Sequence, residues 1–208
     1  MSKEKITLNI PTSWNEVSIG MYKKFTDLQK QDIPTDEKNV KVVCILCNVD
    51  EDLLARFQYK DLKLISKDLA KLLNNEPKKE ANDLIKRVEF NGKKYGFIPN
   101  LSTISLGEYV DIEELSREPY KNLNKIMSIL YRPIVKDNGT RYSIEEYKAD
   151  DEIWEEFNEF PMLAAYSALE FFFCLSKTLP SNLNKYLRQE VRENWNKRHE
   201  RLRVNGVG

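Results

Sequence analysis

The chain has 208 residues and a mass of 24.5 kDa, enough for one well-buried core or two small subdomains. Its 33 Lys and Arg balance 33 Asp and Glu, so no molecule-wide field draws it to nucleic acid or an anionic membrane; such attraction must be local. With 41% hydrophobic and 32% charged residues it has the composition of a globular protein with a heavily solvated surface, and its three cysteines make no disulfide framework.

The opening Met-Ser-Lys-Glu-Lys has no apolar core of the kind a signal peptide carries, which predicts synthesis and folding in the cytosol. Ile6, Leu8 and Ile10 alternate with polar residues as a short strand would, and Pro11 ends it. Ser18 stands where an N-cap belongs, and Met21, Tyr22, Phe25 and Leu28 then recur at helical spacing until Pro34. A second helix is expected from near Asp36 to Val49. Its run of Val42, Val43, Cys44, Ile45, Leu46 and Cys47 leaves little polar face, which predicts burial. A short element around residues 53–57 follows, then an amphipathic helix with Leu62, Ile65, Leu69, Leu72 and Leu73 on one stripe, then a polar linker over residues 74–80.

Residues 88–98 read as a hairpin, because Asn91-Gly92 can take the two positive φ values of a type I′ turn. After it the opening pattern returns: Ile98-Pro99 echoes Ile10-Pro11, and residues 104–109 echo 17–22, with Ser105, Gly107 and Tyr109 matching Ser18, Gly20 and Tyr22. Either a strand–helix–helix–helix unit was duplicated, or a common local solution recurs by coincidence. On either reading each glycine falls in the first turn of its helix and permits close approach of another backbone. Asp137-Asn138-Gly139 is strong turn chemistry, while residues 141–147 and 150–157 look like short acidic helices. Residues 160–179 form the one apolar stretch long enough to consider for a membrane. Pro161, Glu170 and Lys177 within it favour a buried core helix.

These elements predict a mainly α protein with a small β component (α+β). One helical domain would cover residues 1–179, with pseudo-repeat halves 1–80 and 86–179. A basic amphipathic helix and tail would follow over residues 181–208, with Leu183, Leu187, Val191, Trp195 and Leu202 as its stripe.

Motifs for chemistry are few. There is one histidine, His199, no Gly-x-Ser-x-Gly, no phosphate loop and no dinucleotide fingerprint, so the expectation is a non-enzymatic protein without cofactors. Cys44 and Cys47, with Cys174 and His199, supply zinc-type ligands. The cysteines lie on apolar helical segments rather than in a polar turn, which favours core packing over a metal site.

Two late segments carry opposite charge. Residues 145–159 hold eight acids against Lys148, whereas residues 181–203 hold seven Lys and Arg against three Glu. Glu152, Glu155 and Glu156 on the acidic segment, and Tyr186, Arg188, Arg192, Trp195 and Arg198 on the basic one, are the candidate protein-binding residues. Trp195 would be the anchor and the arginines its charged rim. The basic segment could alternatively track nucleic-acid phosphate, with Tyr186 and Trp195 stacking on bases.

The opening Ile10-Pro-Thr-Ser-Trp-Asn-Glu-Val-Ser-Ile-Gly-Met-Tyr22 resembles the start of small proteins from the virion gene clusters of crAss-like and related tailed phages of Bacteroidetes. Ile129-Leu-Tyr-Arg-Pro133 with its polar loop and the late Phe160-Pro-Met-Leu-Ala are similar too, so the likeness spans most of residues 6–179. It implies a virion component near the head–tail junction or tail, or else a tail-assembly chaperone absent from the mature particle. The implied partners are other phage structural proteins and copies of the chain itself, with no membrane, in the host cytoplasm during assembly and then in the virion.

Overall fold

The computed structural model describes residues 8–75 and 83–178, and within them the protein is mainly α-helical with a small β component. In chain order come α1 (Ile19–Gln29), α2 (Thr35–Cys47), α3 (Glu51–Leu54), α4 (Tyr59–Asn74), β1 (Arg87–Phe90) and β2 (Lys93–Phe97). After a 3-10 turn follow α5 (Leu106–Leu115), α6 (Leu123–Leu130), β3 (Tyr131–Asp137), β4 (Tyr142–Ile144), α7 (Asp151–Glu156), a second 3-10 turn (Phe157–Glu159) and α8 (Met162–Thr178).

Local chemistry sets several boundaries. Ser18 caps α1 by accepting the Met21 amide, and Ser105 and Glu108 form a reciprocal capping box at the start of α5. The β1–β2 hairpin turns at Asn91 and Gly92, with φ of 50° and 69° as the type I′ geometry requires.

The sheet is larger than one hairpin: four antiparallel strands run in the order β1-β2-β3-β4. One expectation is corrected here. Residues 142–144 pair with β3 instead of opening a helix, and Tyr142 is held across the sheet. Its ring lies over Gly96, where a side chain would meet it at 2.4 Å, and its hydroxyl donates to Phe97 O at 2.7 Å. Pro133 sits inside β3 because its carbonyl takes the Glu145 amide on the β4 side, so its missing N–H lies beyond the paired part of β4 and away from β2.

Residues 8–10 belong to no strand. Leu8 and Ile10 are half-buried against the core, so their alternation marks an extended segment laid on the body. Nor is α2 internal throughout: Val43, Leu46 and Cys47 are buried, but Val42, Cys44 and Ile45 are only half-buried and Val40 is exposed. The echo between the halves is uneven in its packing. Asn158 O approaches the Cβ position of Gly20 to 3.2 Å, whereas nothing lies within 4 Å of that of Gly107.

The core lies between the sheet and α8. Phe90, Tyr95, Phe97, Tyr131, Phe157 and Phe160 pack ring against ring with centroids 4.3–5.4 Å apart. On α8, Ala164, Ala165 and Ala168 keep the contact face small enough for close approach. The start of α8 is sewn to the N-terminal segment: Ile19 N donates to Phe160 O, Met162 N to Val17 O and Leu163 N to Trp14 O. Among the described residues no helix is long and apolar enough to cross a membrane.

Candidate functional site

The acidic segment forms a ridge fastened to the body from below. Its anchors begin at Glu145, whose amide pairs with Pro133, and continue at Tyr147, whose hydroxyl donates to Asp111 Oδ2 at 2.7 Å. Burial, and then the carboxylate of Asp111, pushes the Tyr147 hydroxyl well above the usual phenol range. Beneath this stretch Arg132 and Glu108 form an ion pair at 2.8 Å, with side chains 13% and 6% exposed, which ties the start of α5 to β3.

Asp150 caps α7, and the inner face of that helix supplies the remaining anchors. Lys125 Nζ stands 4.4 Å over the Trp154 ring, and Asn124 Nδ2 donates to Trp154 O at 2.7 Å. The other end of the Asn124 amide accepts from Lys23 Nζ at 2.6 Å, which links α1, α6 and α7. Burial lowers the Lys23 ammonium, with Glu155 acting against the shift.

The candidate acids are therefore unequal. Glu156 is half-buried and accepts from Tyr95, whose hydroxyl is pushed up to about 12 by burial and then by this carboxylate. Glu155 is exposed but accepts from Asn158 Nδ2 and lies in the field of Lys23. Glu152 is exposed with its carboxylate in no ion pair among the described residues; the same is true of Glu145, Glu146 and Asp151. Tyr186, Arg188, Arg192, Trp195 and Arg198 lie outside the described residues, so the acidic half of the candidate interface is located and the basic half is not.

Three hollows flank these elements. One of 190 Å³ lies under the ridge between Tyr95, Arg132, Tyr147 and Glu156, and one of 450 Å³ lies between α5 and Trp154, lined by Asp111, Glu114 and Glu118. The third, of 560 Å³, lies between α1 and the end of α2 near Lys23, Cys44 and Asn48. Burial raises both thiols, Cys47 to about 11, which keeps them protonated and poor as nucleophiles or ligands. Among the described residues no group of three or more His, Cys, Asp or Glu is placed to hold a metal ion; the Cys174 side chain and His199 lie outside the described residues.

No family model, curated protein or solved structure matches the chain.

The anchors of the ridge were not evident from sequence. Trp154 and Lys125 are far apart in the chain, and only the packing of α6 against α7 brings them together. A second charged face, on α4, was legible in principle: Lys60, Lys63, Lys67 and Lys71 recur at helical spacing opposite the leucine stripe.

Proposed function

We propose that the chain is a non-enzymatic morphogenesis protein of tailed-phage virions, built in multiple copies into the head–tail connector or tail and working through charged surfaces. The observation that carries this reading is the ridge. Its backbone and inner side chains are fixed to α5, α6 and the sheet, while Glu145, Glu146, Asp151 and Glu152 stand outside any ion pair among the described residues. A rigid mount for unpaired like charges suits recognition of a basic partner, since preorganised charge fixes register and speeds encounter. The resemblance of residues 10–22 to virion-cluster proteins gives that partner its setting.

Quantitative mass spectrometry of purified phage particles tests the proposal. Several copies per particle are expected. A chain abundant in infected cells but missing from mature particles would instead mark it as a tail-assembly chaperone.

A further inference from the structure

The outer face of α4 is the electrostatic opposite of the ridge. At about 100° per residue, Tyr59, Lys63, Lys67, Lys60, Lys71 and Leu64 follow one another around a ~140° arc, away from the buried Ile65, Leu69 and Leu72. All six are exposed, and Tyr59 (72%) and Leu64 (62%) are the two most exposed large hydrophobic residues described. Lys71 pairs with Asp68 at 2.6 Å and Lys63 lies over the Tyr59 ring, whereas Lys60 and Lys67 are in no ion pair among the described residues.

One neutral chain thus carries two faces of opposite sign, and no ion pair among the described residues joins them. Complementary charge with exposed apolar side chains at its margins is the composition of a protein-binding surface. We propose that the α4 face of one molecule docks on the acidic ridge, residues 145–152, of a second copy. The two faces differ, so the contact is head-to-tail: it closes into a ring where the rotation permits and otherwise extends as a filament. Nucleic acid suits this pair of faces poorly, because it would engage the lysines and be repelled by the ridge.

The inference rests on the multi-copy reading above and is tested apart from it. Two full-length variants are prepared, Lys60→Glu/Lys63→Glu/Lys67→Glu and Glu145→Lys/Glu146→Lys/Glu152→Lys, with retention of fold checked by circular dichroism. Where either spectrum departs from that of the unaltered chain, Lys67→Glu and Glu152→Lys take their place. In sedimentation velocity at low salt the unaltered chain associates, each variant alone associates at least about tenfold more weakly, and an equimolar mixture regains association because both reversed faces again find opposites.

An unaltered chain that stays monomeric, or a mixture that fails to reassociate, overturns the interface. So does loss of association on reversing the acids but not the lysines, which would assign the ridge to another basic segment such as residues 181–203. Copies in the particle without charge-swap rescue sink this interface alone, whereas charge-swap rescue without copies in the particle sinks only the placement in the virion.

Discussion

Residues 131–160 give the aromatic core Tyr131, Phe157 and Phe160 and also carry the acidic ridge, yet core and ridge handle polar groups in opposite ways. In the core Tyr131 is fully buried and its hydroxyl donates to Ile85 O at 2.7 Å, while Ser167, also buried, accepts the Ile85 amide and donates to Ala164 O. Each of these polar groups is satisfied from within. On the ridge, none of the eight carboxylates is in an ion pair among the described residues. Internal satisfaction marks what holds the molecule together, and charge left unpaired on a rigid mount marks where its partner belongs.

The comparison breaks first at the core. Phe160→Ala removes a fully buried ring from the junction of sheet and α8 and is expected to cost about 3–5 kcal/mol, read as a lower urea midpoint. Arg132→Ala should rival it at about 3–5 kcal/mol, because the Glu108 carboxylate is left buried without its partner. A smaller loss of about 1–3 kcal/mol is expected for Gly96→Ala, whose new methyl group displaces the Tyr142 ring and its bond to Phe97. A double-mutant cycle with Tyr142→Ala then tests whether the ring is the cause: the two losses should fall short of adding.

The capping box and the ridge show how much of this was legible in sequence. Ser105 and Glu108 announce the start of α5, and Asn91-Gly92 the hairpin, because their chemistry acts within four residues. β3 and β4 were hidden for the opposite reason. Pro133 argues locally against a strand and the acids after Tyr142 argue for a helix, but the decisive contact is Tyr142 on Gly96, 46 positions away. Likewise the acids of residues 145–159 are plain as a charge run, whereas their division into Glu156 serving Tyr95 and an exposed Glu152 depends on which side of α7 meets the body. Periodicity shows that α4 buries the stripe of Ile65, Leu69 and Leu72. That the opposite lysines stay exposed is a three-dimensional fact.

The ridge sharpens the comparison with small effects. Glu152→Ala should leave stability within about 0.5 kcal/mol in urea melts, since its carboxylate holds nothing in the body. A small, pH-dependent effect is expected at Asp137, whose carboxyl is held below its ordinary value by the Gly139 amide and then by Arg87. A depressed carboxyl contributes stability above its unfolded value and loses it as pH falls through the folded one. The urea midpoints of the unaltered chain and of Asp137→Asn should therefore differ at neutral pH and converge in strong acid.

Whether this molecule works by bringing complementary charged faces together is decided by sedimentation of the unaltered full-length chain across a series of salt concentrations. Association at low salt that gives way to monomer as salt rises is the predicted result. A single monomeric boundary at every salt concentration, or association that strengthens with salt, would contradict it.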